Sequence, residues 1–384
     1  MRILTVNYLL DPVAGGGTAE RVAQITRALA STGVDSSVLT MDAGLTPQRR
    51  QDLAPAPVTA LRTLNRRFSL PFPAWSTVLQ RVRAADLVHI VGHWTAINLL
   101  AAAAARRCGR PVVVSPAGAL RLAGRSRMLK RAYNAAGGVR MIREAAAWIA
   151  VSRNELPEYE RYGVAARRVT VIPNGVDPKA FAGGDPDRFR RTLGLPGGPF
   201  VLFVGRLAWS KGPDLLLDAF GRVARRFPDH HLVMIGTDEG LQASLRATAR
   251  SLGLAERVHF PGYVGGDDKA GAYHAASLLV IPSRQEAMSI VALEAGASGT
   301  PVLLTDRCGF DEVAAIGGGA VTPPTVEGLE SAMAGLLSDP AGLAARGGRL
   351  RDYVRAHASW RDVAEQHRRV FASVLTTTDA DAPR

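Results

Sequence analysis

Residues 277–304 read SLLVIPSRQEAMSIVALEAGASGTPVLL. The stretch opens on an uncharged apolar run, Leu278–Ile281, and closes on another, Val302–Leu304. Short apolar runs bounded by turn residues mark strands buried on both faces. Between them a helix is predicted from near Ser289 to just before Gly299, where Ser-Gly-Thr-Pro is a stop signal. A strand, a helix and a second strand in close succession imply a parallel sheet. Glu286 and Glu294 interrupt this apolar sequence. On an ideal helix their spacing leaves two side chains about 80° apart. Glu286 is therefore expected on the loop entering the helix and Glu294 within it. An ionised carboxylate among Ile290, Val291, Ala292, Leu293 and Ala295 is costly to bury alone. A buried arginine, exposure of that face, or a polyol ligand donating hydroxyls to both carboxylates would each satisfy it.

The same alternation runs through the chain. Six strand-like runs, from Ile3–Val6 to Val169–Ile172, precede a Pro/Gly/Asp-rich stretch at Pro173–Pro199, and six more follow, from Phe200–Val204 to Ala320–Val321. The expected fold is α/β, with two doubly wound, Rossmann-like domains whose parallel sheets face a central cleft. Residues 1–172 and 173–358 are the predicted domains, with 173–199 as the linker. An amphipathic helix over 359–375 would return to the first domain, and 376–384 reads as a disordered tail. The length of 384 residues suits two domains, and 47% hydrophobic residues suffice for their cores.

No run of about 18 uncharged apolar residues is present, so no spanning helix is predicted. MRILTVNYLL reads as a first strand and not as a signal peptide. Cys108 and Cys308 form no C-x-x-C, which fits a reducing cytoplasm and argues against a zinc ribbon. Residues 1–172 hold 24 Lys and Arg against 10 Asp and Glu, a surplus of 14 positive charges; residues 173–384 hold 23 against 24. Such a surplus implies either an anionic partner for the first half or an Arg-rich composition spread over solvated faces. With 6% aromatics and no zinc-finger or RNA-binding signature, nucleic acid is ranked below a phosphorylated acceptor or an anionic membrane surface. The chain is thus expected in the cytoplasm, with the inner face of the cell membrane as a peripheral site. Arg121 to Arg143 carries seven basic residues and no acid, interleaved with Leu122, Met128 and Leu129. Such a surface suits anionic lipid, though an ordinary solvated helix pair has the same composition.

Smaller motifs point to a ligand. Gly15-Gly16-Gly17 follows the first strand, with Thr18 as candidate cap, and lets amides approach an anion closely. Arg206 and Lys211 flank the loop between a strand and a helix opened by Pro213, an arrangement suited to a diphosphate. Either cation could instead pair with a carboxylate such as Asp214. Gly262-Tyr263-Val264 is a turn able to offer backbone to a flat base. His93 follows a strand's carboxyl end, where it would either point into the cleft or sit as a satisfied loop histidine; with His89 it makes no zinc pair, lacking a helix and a third ligand. Asp185-Pro186-Asp187 has the metal-binding D-x-D form but reads as turn chemistry.

In this order the pieces resemble the retaining glycosyltransferases of family four, which have the GT-B fold. The resemblance spans nearly the whole chain: GGGTAERVAQITRALASTGVDSSVL, LVHIVGHW, VTVIPNGVD, FVGRLAWSKG, HFPGYV and SRQEAMSIVALEAGASGTPVLLTD. It implies that Arg206 and Lys211 grip the donor diphosphate, Glu294 accepts from the ribose hydroxyls, and Glu286 faces the donor sugar beside Met288, Ser289 and Ile290. Gly16 and Gly17 resemble the phosphate-side loop, and Gly262, Tyr263 and Val264 the base-contacting turn. A UDP- or GDP-sugar would be co-substrate, with no cofactor or metal, and the acceptor would be a glycan or a lipid-linked sugar in surface polysaccharide assembly. Where the family often has Glu-Gly-Phe-Gly, this chain has Glu286-Ala287-Met288-Ser289. Many members carry a histidine where Ser115-Pro116-Ala117-Gly118 has none, which leaves that task to His93 or to the backbone. A nucleotide-sugar epimerase, or a catalytically silent binding subunit, would share the plan.

Overall fold

The computed structural model describes residues 1–380 except 12, 13, 66–69, 73, 123–125 and 196. Arg125 of the basic run and residues 381–384 of the tail therefore lie outside the described residues. The chain divides into two compact units, Met1–Asn174 with Trp360–Arg384, and Gly175–Ser359.

The first unit contains β1 (Arg2–Val6), α1 (Gly16–Ser31), β2 (Asp35–Met41), α2 (Pro47–Asp52), β3 (Val58–Asn65), β4 (Leu70–Phe72), α3 (Trp75–Ala84), β5 (Leu87–Val91), α4 (Ala96–Arg107), β6 (Val112–Ser115), α5 (Arg127–Tyr133), α6 (Val139–Arg143), β7 (Ala147–Ala150), α7 (Leu156–Arg161) and β8 (Val169–Val171). Among the described residues its sheet has the order β4-β3-β2-β1-β5-β6-β7-β8. β5 is buried at every position, as continuous apolar runs in a covered sheet should be. The expectation of a purely parallel sheet fails at one edge, where β3 and β4 pair antiparallel. A strand reached by a short return needs no crossover helix, so nothing forces β4 to run with the others.

In the second unit come α8 (Pro186–Thr192), β9 (Phe200–Val204), α9 (Pro213–Val223), β10 (His231–Ile235), α10 (Gln242–Ser251), β11 (Val258–Gly262), α11 (Gly266–Ala275), β12 (Leu278–Ile281), α12 (Ile290–Ser298), β13 (Val302–Thr305), α13 (Glu312–Ala315), β14 (Gly319–Thr322), α14 (Val326–Leu337) and α15 (Pro340–His357). The sheet order is β11-β10-β9-β12-β13-β14 among the described residues, all parallel. The order reverses between β9 and β12, and ligands in open α/β sheets bind outside the strand ends at such a switch point. α12 stops where the sequence predicts, with Gly299 left-handed at φ 81°.

The stretch 173–199 is not an open linker. Asp185 caps α8 by accepting from Arg188 N at 2.8 Å, and Phe189 is fully buried with its ring 6.1 Å from that of Phe200. Pro178 and Pro186 open helical turns, so the prolines that suggested a linker start structure instead. The crossing is confined to Asn174–Gly175. Buried Arg21 of α1 fixes the near side of it, donating to Ile172 O and Pro173 O at 3.1 Å each and to Asn174 Oδ1 at 2.6 Å. Burial lowers this guanidinium to about 10.

The final helix, α16 (Trp360–Ala380), belongs to the first unit and packs on α1. Val363, Ala364 and Phe371 share a core with Ile3, Ile25, Leu29 and Ile149. Residues 376–380, expected to be disordered, continue this helix. Thr376 and Thr377 bond back to Ala372 O and Ser373 O at 3.1 and 2.9 Å, so the polar tail stays within the helical ladder. Among the described residues no helix is long and apolar enough to cross a membrane.

Candidate active site

In the second unit the loops leaving β9 and β12 are stitched together. Arg284 N and Gln285 N both donate to Ser210 O, at 2.9 and 3.2 Å. Gly212, left-handed at φ 67°, ends the first loop where a Cβ would stand 2.1 Å from Pro282 O. Only glycine permits that approach. The loop after β10 joins from the other side: Leu207 N donates to Thr237 O at 2.8 Å, and Glu239 N to Leu207 O at 3.3 Å.

This framework gathers the predicted charges. Lys211 Nζ donates to Glu286 Oε1 at 2.8 Å, and Ser283 Oγ to Glu286 Oε2 at 2.9 Å. Arg206 pairs with Glu239. Asp214, the partner foreseen for either cation, is held by Arg284 through two bonds of 2.7 and 2.6 Å, while Arg284 stacks 5.0 Å from the Trp209 ring centre. Ser283, Arg284 and Glu239 were not picked out from the sequence. Met288 and Ser289 are buried, and Ser289 N donates to Cys308 O at 3.0 Å. Burial, then the Glu286 charge, pushes the Cys308 thiol up to about 12, which leaves it protonated and inert at neutral pH. Ile290 begins α12.

Glu294 sits in α12 with 9% of its side chain exposed. Its partner is not an arginine. Tyr273 Oη donates to Oε2 at 2.6 Å and Lys269 Nζ reaches the same oxygen at 2.6 Å. Burial, then the carboxylate, raises the Tyr273 phenol well above its ordinary value. Both partners come from α11 and carry no motif, so nothing in the sequence marked them. Gly262 ends β11 at φ 84°, Tyr263 is exposed and Val264 is buried.

The first unit places its candidates differently. α1 starts at Gly16, with Gly17 exposed in its first turn. Thr18 lies inside the helix, where its side chain cannot serve as the expected cap; Gly15 holds that position. His93 does not project freely from its strand. It is 3% exposed, with Nε2 3.3 Å from Asn134 Oδ1, and its ring centroid lies 4.5, 5.0 and 5.7 Å from those of Trp94, Tyr133 and Tyr162. Burial lowers its pKa to about 4, so the imidazole is neutral at pH 7. A glycine, Gly92, lets the backbone turn back here and fold the ring under aromatic cover. His89 is buried as well, both ring nitrogens without partners among the described residues. The loop after β6 is set by Glu155, whose oxygens accept from Gly118 N and Val151 N at 2.7 Å each. No group of three or more metal-ligating side chains occurs among the described residues.

Residues 15–180 match the family model for Glycosyltransferase Family 4, and residues 185–355 that for Glycosyl transferases group 1. The chain is 33% identical over 380 residues to a D-inositol 3-phosphate glycosyltransferase of Acidothermus cellulolyticus, covering 88% of this chain and 78% of that one. A protein of the same name from Frankia alni is 32% identical, covering 75% and 77%. Among solved structures, Anabaena Alr3699/HepE in complex with UDP and glucose superposes with a TM-score of 0.81 at 22% identity, covering 97% of this chain and 100% of that one, a likeness of fold. On these matches, and on its two Rossmann-like units, the chain belongs to family 4 of the glycosyltransferases, the glycosyl transferases group 1, with the GT-B fold.

Proposed function

We propose that this glycosyltransferase moves a sugar from a nucleotide diphosphate sugar to an anionic acceptor with retention of configuration and without a metal. The observation that supports it most is that Arg206 and Lys211 share the loop leaving β9, with Lys211 bonded to Glu286 of the loop leaving β12 and Glu294 on the helix that follows. Each cation is paired with a carboxylate, Arg206 with Glu239 and Lys211 with Glu286. A diphosphate would replace Glu239 on Arg206 and share Lys211 with Glu286. As the anomeric carbon–oxygen bond breaks, the departing phosphate gains charge, and fixed cations with the first N–H groups of α9 stabilise it. Glu286 orients the sugar hydroxyls. The acceptor oxygen attacks from the leaving-group face and bonds to the anomeric carbon. Its proton passes to the departing phosphate oxygen, so no protein nucleophile is required. Because arginine and lysine carry the charge compensation, magnesium has no task here.

Titration with UDP- and GDP-sugars by calorimetry tests the donor reading. One of them should bind with a Kd unaffected by EDTA, and Arg206→Ala should weaken it by roughly 10–100-fold, as loss of a charge-assisted phosphate contact implies. Loss of binding on adding EDTA would overturn it. Retention is read from the anomeric proton of the product by NMR.

The acceptor belongs with the basic first half, whose 14-charge surplus favours a phosphate-bearing glycan or lipid-linked sugar. The curated relatives named for D-inositol 3-phosphate fit an anionic acceptor of this kind. α5 offers a lipid contact, with Met128 83% and Leu129 57% exposed beside the exposed Arg127 and Arg131. A peripheral place on the inner face of the cell membrane, in surface polysaccharide assembly, follows from that reading.

A further inference from the structure

We infer that Lys269 and Tyr273 are positioning residues for the donor ribose, acting through Glu294. The inference rests on the reading of Glu294 as the ribose acceptor. The two side chains lie four positions apart on α11, hence on one face of it. Tyr273 Oη donates to Oε2 of Glu294 at 2.6 Å, Lys269 Nζ forms an ion pair with the same oxygen at 2.6 Å, and among the described residues no hydrogen bond reaches Oε1. An ionised carboxylate oxygen accepts about two hydrogen bonds. Oε2 is therefore occupied by the phenol and the ammonium of the protein, while Oε1 keeps capacity for two donors, the number a vicinal diol offers. The Lys269 and Tyr273 bonds also fix the rotation of the carboxylate, so Oε1 is presented in one orientation.

Neither donor is free to wander. The Tyr273 ring is fully buried, 5.9 Å from that of Phe181, and Thr300 Oγ1 bonds its carbonyl at 2.7 Å. Lys269 Nζ lies 6.0 Å over the Phe181 ring. A purely structural role, satisfying a buried carboxylate, would make the same bonds. It differs in what it predicts for ligands, because only orientation of Oε1 depends on the sugar hydroxyls.

The test compares the Kd of a nucleoside diphosphate with that of its 2′,3′-dideoxy counterpart. Glu294→Gln, Lys269→Met, Tyr273→Phe and Lys269→Arg are each measured by calorimetry, with donor KM and kcat alongside. Lys269→Met should weaken the ribose nucleotide by roughly tenfold, as for loss of a charged hydrogen bond. It should leave the dideoxy nucleotide unchanged, raise donor KM and spare kcat. Lys269→Arg should restore most of the loss. Equal weakening of both nucleotides by Lys269→Met and Tyr273→Phe, with Glu294→Gln still discriminating, overturns the positioning role alone. If Glu294→Gln weakens both equally, the ribose reading and this inference fall together. Should Lys269→Met unfold the second unit, Tyr273→Phe retains the buried ring and supplies the same comparison.

Discussion

Lys211 and Glu286 stand 2.8 Å apart with most of each side chain buried. Removing one leaves the other uncompensated, which costs more than losing the attraction itself. Lys211→Met and Glu286→Gln should each destabilise the second unit by about 1–3 kcal/mol, and the double variant by less than the sum, as read from urea melts of the four-membered cycle. Histidines of the first unit give a second test. His93 titrates near 4 in the fold against an ordinary 6.5, and burial also depresses His89, to about 3, with Arg21 adding to it. The unfolded chain therefore binds more protons between these values, and stability falls as pH drops from 6.5 toward 4. For His93 alone the full effect is on the order of 3 kcal/mol. His93→Gln should flatten the pH dependence of the melting temperature in that window; a parallel curve would count against it. Arg206, Lys211, Glu286 and Glu294 stand out in the sequence because charged residues are rare in small apolar surroundings. Their partners Glu239, Lys269 and Tyr273 do not, since each is supplied by another element, where polar residues are common.

Elements matter at the site because three loops lock together rather than standing alone. Gly236 is the tightest point: at φ 152° its added Cβ would lie 1.8 Å from Gly205 O. Gly236→Ala must push the β10 loop away from the β9 loop and take Arg206 with it. Donor affinity should fall by at least about tenfold with a loss of about 2 kcal/mol in stability. Nucleotide titration and a denaturant melt check the two parts. A membrane role for α5 is equally testable: Met128→Ser with Leu129→Ser should abolish co-sedimentation with anionic vesicles at low salt while leaving donor binding intact, and wild-type protein that stays in the supernatant would remove the role. At this scale the sequence was legible where strands are continuously apolar. It misled where they are not. VTALRTLN in β3 carries Arg62 and two threonines and lies near an edge, so it lacks the signature of the covered strands. α8 hides behind prolines and glycines, with Phe189 as its one large apolar anchor.

Across the whole molecule, the first unit is assembled from two stretches of chain separated by all of the second. α16 covers Ile25, Leu29 and Ile149, and without it that apolar surface meets water. A chain ending at residue 359 should lose the cooperative transition of the first unit, while residues 175–359 keep their own melt and still bind nucleotide. Calorimetry with and without donor separates the two transitions. Loop closure over the intervening residues adds only a slowly growing entropic term, so the long detour is tolerable at equilibrium.

Synthesis is another matter, since a ribosome delivers residues 175–359 before it delivers Trp360. Throughout that interval the earlier half waits with a greasy flank uncovered, and its later-made neighbour can finish folding first. The order of completion thus inverts the order of translation, and a nascent chain stalled just short of α16 is the form on which chaperones should be found.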